Sequence, residues 1–318
     1  MNTEFEINQY QGNPNSKKAS KNNKQLRKID YNIVLGCPRS GTTFLMQCLN
    51  SLSNTECVSG HLLPILIPHM VNHSLPPDID EALSRSIEFS FNDYLESIHV
   101  ARVPVAHKWL TGHISIYELL AAFQGKRTIE RLVYKEPFLA FAPKFIYNAL
   151  PDCKIVHIYR DGRDVADSLV RTYQVLTDEK LTNLDTAEMP LGRQYDHRYV
   201  PWWLEEGKEE EFLASTPYIR AIWMWKEIVS RCHEFFSHPE VIASSRVMLL
   251  KYEELVNDPV NYGQSVVEHF GGRMNDRLKR QFKQARASSS GIHKRKNAQE
   301  IQMAEKIAKP ELELYGYL

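Results

Sequence analysis

Two glycines, Gly36 and Gly41, at the end of a short apolar run constrain this chain more than any other feature. Residues 31–35 (YNIVL) read as a strand, and Gly36-Cys37-Pro38-Arg39-Ser40-Gly41-Thr42-Thr43 follows at once. Phe44, Leu45, Cys48, Leu49 and Leu52 then recur at helical spacing, which predicts a helix over residues 43–52. A strand that turns through glycines into a helix lets backbone N–H groups converge on an anion, with the helix dipole behind them. The glycine spacing fits the phosphate-binding pattern G-x-x-x-x-G-K-[ST], but the lysine position holds Thr42. Nucleoside-triphosphate chemistry uses that lysine on the β- and γ-phosphates, so its loss argues against triphosphate hydrolysis. Arg39 instead puts a permanent cation inside the loop.

Three more strands precede helices or helix starts. Residues 131–134 lead into KEPF and a helix near 140–150; Lys154–Tyr159 leads into RDGRD and a helix over 165–173; residues 246–250 lead into KYEEL. Strands alternating with helices imply an α/β fold, a three-layer αβα arrangement with a central parallel sheet. In such sheets ligands gather beyond the carboxyl ends of the strands, and every chemically notable motif here follows a strand.

Composition trims the alternatives. Lys and Arg number 39 against 39 Asp and Glu, so the chain lacks the basic excess of a nucleic-acid binder. The longest apolar stretch, residues 62–67, is broken by Pro64 and closed by Pro68, too short to span a bilayer. Residues 1–28 are polar and basic, without the apolar core of a signal peptide, and are expected to form a disordered arm. The five cysteines have no paired spacing, so neither a disulfide framework nor a zinc site is expected. Mostly buried thiols in a reducing, cytoplasmic setting fit better. Residues 29–318 then read as a single domain, with an insertion or flap near 181–215 that carries Trp202, Trp203 and five glutamates (Glu205, Glu206, Glu209, Glu210, Glu211). The tryptophans suit either pocket walls or core.

PRSGTTF resembles the 5′-phosphosulfate loop of sulfotransferases that use 3′-phosphoadenosine 5′-phosphosulfate (PAPS), a donor with no γ-phosphate. Three further motifs stand in that family's order. KIVHIYRDGRDVADS resembles the 3′-phosphate segment, which assigns Arg160 as a planar fork and Ser168 as a hydroxyl donor. Arg163, in the same segment, is read as an ion-pair partner of a neighbouring aspartate. RVMLLKYEELVNDP resembles the segment whose tyrosine lies against the adenine, here Tyr252. SSSGIHKRKN stands where the family closes a basic loop over the 3′-phosphate, with Ser290, Gly291, Lys294 and Arg295 as candidates. The resemblance implies a P-loop NTPase-like sulfotransferase fold and a donor site of Arg39, Ser40, Gly41, Thr42, Thr43 and Phe44 with the residues just named. Phe44 is either an adenine-stacking ring or core.

Sulfuryl transfer by this family implies in-line attack with charge building on the leaving oxygen, and it requires no metal. Arg39 and the loop donors suit that charge. Lys135 is the second cation, because KEPF resembles the KDPF segment of tyrosylprotein sulfotransferases. The base that deprotonates the acceptor is expected at His61, where SGHLLPIL takes the place of that branch's GEE-type segment. Glu136 is the rival, although neighbours on a strand point to opposite faces. His107 and His113 are further candidates to line the acceptor pocket. The expected acceptor is a small hydroxylated molecule of neutral, cationic or partly apolar character, since an acidic flap repels acidic peptides. Competing readings are a tyrosylprotein-type sulfotransferase, a P-loop small-molecule kinase and a non-catalytic nucleotide-binding scaffold. The oligomeric state has no signature in the sequence.

Overall fold

Along the central strands, successive side chains are sent to opposite faces, and each face finds a core. In the computed structural model, residues 29–318 are described except 61, 65, 74, 97–104, 125–126, 183–191 and 287–289. The residues expected to form an N-terminal arm therefore lie outside the description. Strand β1 (Asp30–Leu35) sends Ile33 and Leu35 to one core and Val34 to the other. Strand β3 (Arg131–Lys135) repeats this with Leu132 and Tyr134 against Val133, and β4 (Lys154–Tyr159) with Ile155 against Val156 and Ile158. Apolar runs buried on both faces are the pattern of a parallel sheet covered by helices.

Together with β2 (Thr55–Ser59) and β7 (Val247–Lys251), these strands form a parallel sheet ordered β2-β3-β1-β4-β7. Helix α1 (Thr42–Leu49) covers one face with α6 (Tyr252–Asn257), α7 (Pro259–His269) and α8 (Asp276–Phe282). The other face is covered by α2 (Pro77–Glu96), α3 (Pro143–Ala149), α4 (Gly162–Tyr173), α5 (Pro217–Phe236) and α9 (Ala298–Ile307). The three-layer αβα architecture expected from the alternation is present. From β1 the chain runs to the edge at β2, returns to β3 and then crosses to β4. The loop after β1 thus opens where the strand order reverses, the habitual ligand position of open α/β sheets.

Several boundaries differ from expectation for local reasons. Helix α1 stops at Leu49, though Leu52 is still buried against the same core. The helix expected over 140–150 is divided into a 3₁₀ turn, Pro137–Phe141, and α3. Each piece begins with a proline, which needs no N–H donor in a first turn. Strand β2 was not foreseen, because TECVS carries a glutamate where an apolar residue is expected. Glu56 is nevertheless 1% exposed, held by Lys108 at 3.2 Å and Arg127 at 2.7 Å. His157, on β4, is wholly buried, and burial pushes it down to about 3, so it stays neutral at physiological pH.

The 181–215 stretch, expected to form a flap, contains a two-stranded antiparallel sheet of β5 (Gly192–Tyr195) and β6 (Arg198–Pro201). Trp203, Leu204, Phe212 and Leu213 are buried in the core on the α5 face. Arg220 on α5 fastens them, donating to the carbonyls of Phe212 and Leu213 and pairing with Asp178 at 2.7 Å. All five cysteines are free; four are buried and Cys57 is partly exposed. Among the described residues no helix is long and apolar enough to cross a membrane.

Candidate active site

The loop between β1 and α1 is shaped by what its glycines leave out. A Cβ on Gly36 would stand 2.2 Å from the Ile158 carbonyl oxygen, so only glycine lets the chain pass β4 there. Gly41 has φ 101, and a Cβ on it would meet the Tyr252 ring at 2.6 Å. Arg39, between them, also has positive φ, at 75, an uncommon conformation for a residue with a side chain. Gly41 caps α1 without any side-chain hydrogen bond, which leaves the first-turn N–H groups for an outside acceptor. The hydroxyl of Ser40 is buried and has no hydrogen-bond partner among the described residues. Thr42 is buried, whereas Thr43 is exposed at the mouth of the loop.

Strand β4 ends beside this loop and delivers Arg160. Its guanidinium donates to the Arg39 carbonyl at 3.1 Å and lies 4.8 Å over the Tyr252 ring. Its own carbonyl accepts the indole N–H of the buried Trp225 at 3.1 Å, tying the end of β4 to α5. Arg39 turns its side chain towards α4, where Nε donates to Ser168 Oγ at 3.0 Å and the guanidinium sits 5.5 Å over Tyr173. The residues assigned to the two anionic ends of a nucleotide donor are thus in direct contact. Arg39, Arg160, Ser168 and Tyr252 come together although they are far apart in sequence.

Lys135 closes β3 on the other side of β1, and its ammonium donates to Thr43 Oγ1 at 3.4 Å. Burial pulls Lys135 below the usual lysine range, and Glu136 beside it opposes that shift. Glu136 itself caps the 3₁₀ turn, accepting from the Phe138 N–H at 3.3 Å, and lies against Gly60. The two neighbours therefore serve different surroundings, as opposite strand faces require. Phe44 is half-buried and packs edge-on against Phe282, with ring centroids 6.5 Å apart, which leaves part of the ring accessible. Tyr252 is 8% exposed, and its hydroxyl donates to the Arg286 carbonyl at 3.3 Å.

The basic segment reaches the site through its backbone. Gly291 donates to Asp164 Oδ2 at 2.7 Å, and His293 donates to Oδ1 from its backbone N–H at 3.0 Å. Ser290, Lys294 and Arg295 are exposed. Arg163 takes the ion-pair role, with Asp161 at 2.8 Å and Glu305 at 2.5 Å. Sequence reasoning singled out neither Asp164 as a tie to this segment nor Tyr173 beneath Arg39. For Asp164 the only signal was its place one helical turn after Arg160.

Of the candidate bases, His61 lies outside the described residues, directly after Gly60. His113 bonds Ser51 at 2.8 Å beyond the end of α1, at the amino ends of the strands, and His107 is exposed on the same segment. Neither faces the loop after β1. The expected acidic lip is partly neutralised: Glu209 pairs with Arg193, Glu211 with Lys208, and Glu210 accepts from Tyr195. Glu205 and Glu206 stay exposed. Trp203 is core, whereas Trp202 is half-buried over Phe141 with centroids 5.3 Å apart. No group of three or more His, Cys, Asp or Glu among the described residues is gathered to hold a metal ion.

A family model described as "Sulfotransferase family" matches residues 33–213, more than half of the chain. Among solved structures, the sulfotransferase domain of the Synechococcus PCC 7002 olefin synthase aligns over 89% of this chain and 96% of its own, at 16% identity and a TM-score of 0.47. A sulfotransferase of Mycobacterium avium aligns over 90% of this chain and 76% of its own, at 15% identity and a TM-score of 0.46. The sulfotransferase domain from the curacin biosynthetic pathway aligns over 88% and 90%, at 18% identity and a TM-score of 0.45. No curated protein matches the sequence.

Proposed function

The chain belongs to the sulfotransferase family, and from that premise we propose that it transfers a sulfuryl group from PAPS to a hydroxyl of a small-molecule acceptor. The observation that carries this reading is the unbroken line of contacts from Arg39 to Ser168, Arg160 and Tyr252. It joins the loop after β1 to the end of β4 and the middle of α4, so one ligand with anions at both ends can engage both. The donor set fits such a ligand on two further counts. Ser40 has a buried hydroxyl lacking a partner among the described residues, and no side-chain cap occupies the first-turn N–H groups of α1.

When bound, PAPS supplies the sulfuryl group and leaves as a bisphosphate. The chain's own residues position the reactants and stabilise charge. The first-turn amides of α1 with Ser40, Thr42 and Thr43 hold the 5′ end. Arg39 and Lys135 flank that end as cations. Arg160 and Ser168 hold the 3′-phosphate, and the backbone and side chains of Ser290, Gly291, Lys294 and Arg295 close over it. Tyr252 and the accessible part of Phe44 receive the adenine. The acceptor proton passes to His61, while Glu136 keeps the 3₁₀ turn in place.

For the acceptor, exposed Glu205 and Glu206 favour a neutral or cationic molecule, and half-buried Trp202, packed on Phe141, is the aromatic wall offered to it. Calorimetry with adenosine 3′,5′-bisphosphate in a chelator tests the donor assignment. Binding is expected for the wild type and is lost in Arg160→Ala. No heat at millimolar ligand, or stabilisation by Mg-ATP instead, overturns it. Labelled sulfate from PAPS, offered to hydroxylated small molecules beside an acidic tyrosine peptide, tests the acceptor. Faster labelling of the peptide refutes the small-molecule assignment.

A further inference from the structure

Asp164 stands one helical turn beyond Arg160 on α4 and is 1% exposed. A carboxylate buried this deeply needs several hydrogen bonds, and this one has them from a remote segment. Oδ1 accepts from the backbone N–H of His293 at 3.0 Å and from its imidazole Nδ1 at 2.6 Å; Oδ2 accepts from the Gly291 N–H at 2.7 Å. The Arg160 guanidinium lies 3.7 Å from Oδ2. Burial disfavours the charge, yet the bonds from His293 and Gly291 and the nearby Arg160 outweigh it and hold the carboxyl below its usual range.

The segment so bonded is a turn that cannot define itself. Gly291 has φ 73, and no side chain caps the short 3₁₀ helix Ile292–Arg295 that follows. Lys294 and Arg295 project into solvent from it, while Ile292 and His293 are buried. One oxygen of Asp164 faces Arg160 and the Gly291 amide, and the other takes both donors of His293. A single carboxylate therefore sets the position of the 290–295 turn relative to Arg160.

We propose that Asp164, with His293, is a positioning residue for discrimination in favour of a 3′-phosphorylated nucleotide. It registers the basic turn against Arg160 and touches neither the ligand nor the transferred group. This rests on the donor reading above and adds an element to it. Charge-assisted hydrogen bonds of this kind contribute enough that losing one or two changes affinity roughly tenfold to a hundredfold.

Two ligands separate the possibilities: adenosine 3′,5′-bisphosphate, and adenosine 5′-phosphosulfate, which lacks the 3′-phosphate. Asp164→Asn keeps the shape but removes the charge. It is expected to weaken the bisphosphate roughly tenfold to a hundredfold while leaving the 5′-phosphosulfate within about twofold. The KM for the donor rises accordingly, with kcat at saturation unchanged. His293→Ala removes one bond from the other partner and should give the same pattern at about fivefold. If Asp164→Asn does not fold, His293→Ala alone decides. Equal loss for both ligands means that the residue only supports the fold and overturns the proposal, as does no loss for either. A wild type with no preference for the bisphosphate would bring down the donor reading itself, an outcome distinct from the first two.

Discussion

Both ends of the sheet bury charge, but they treat it differently. At the amino ends, Glu56 is shared by Lys108 and Arg127, and the Thr55 carbonyl accepts from both cations at 3.5 and 3.2 Å. The carboxylate thus has two cations of its own, and those cations share a carbonyl. At the carboxyl ends, Arg39 meets a hydroxyl and a phenol ring, Lys135 leans on a threonine, and Arg160 lies over an aromatic face. Among the described residues the hydrogen-bond partners of Arg39 and Lys135 are neutral, which leaves their charge to an anion, whereas Arg160 also pairs with Asp164 at 3.7 Å. Buried charge alone therefore does not mark a site; the partners of the charge do.

The sharpest way to break this contrast is Arg39→Ala. Loss of one preorganised cation at the transferred group is expected to lower turnover about a hundredfold, with the melting temperature unchanged. A near-normal rate would remove Arg39 from the chemistry. Glu56→Gln probes the opposite end. It strands two buried cations and is expected to cost about 3 kcal/mol in chemical denaturation, while donor KM and kcat stay at wild-type values. A kinetic defect at constant stability would erase the distinction between the two ends.

Lys135→Ala should lower kcat about tenfold. Because burial holds this ammonium below the usual lysine range, its cation is lost earlier as pH rises. Lys135→Arg should then retain activity further into the alkaline range, and identical alkaline limbs would exclude the lysine as their origin. The smallest effect concerns Asp164. Its lowered carboxyl contributes stability that is complete above the unfolded value of about 4 and disappears as pH falls through the folded value. The melting temperatures of wild type and Asp164→Asn should therefore differ by about 2–4 °C at neutral pH and converge in acid. A constant gap would show that the carboxyl's charge is not what stabilises.

The sequence exposed those parts of the fold in which one segment contains its own explanation. The run before Gly36, the glycine spacing and the helical pattern after it are local, and β1, the loop and the start of α1 appear where they predict, although α1 ends at Leu49 and not at residue 52. Strand β2 escaped because its buried glutamate makes sense only with Lys108 and Arg127, which arrive from elsewhere in the chain. Arg39 was legible as a loop cation, but its contact with Ser168 was not, since nothing local specifies a partner 129 positions away. For Asp164, neighbouring arginines were the obvious partners in sequence. The folded chain gives Arg163 to Asp161 and Glu305, leaves Arg160 3.7 Å from Asp164, and brings His293 to Asp164 as well. Five glutamates close together suggested a single negative surface, yet Arg193 and Lys208 answer two of them.

The order β3-β1-β4 has a geometric corollary. Lys135, the loop bearing Arg39, and Arg160 each emerge from a different one of three adjacent strands, and neighbouring strands lie about 4.8 Å apart. The lateral pitch of the backbone thus acts as a ruler for positive charge, laid at right angles to the chain direction. A molecule that satisfies all three must lie crosswise over the strand tips. Side chains at those tips can be exchanged to suit a new reaction, but the graduations of the ruler cannot be moved without dismantling the sheet.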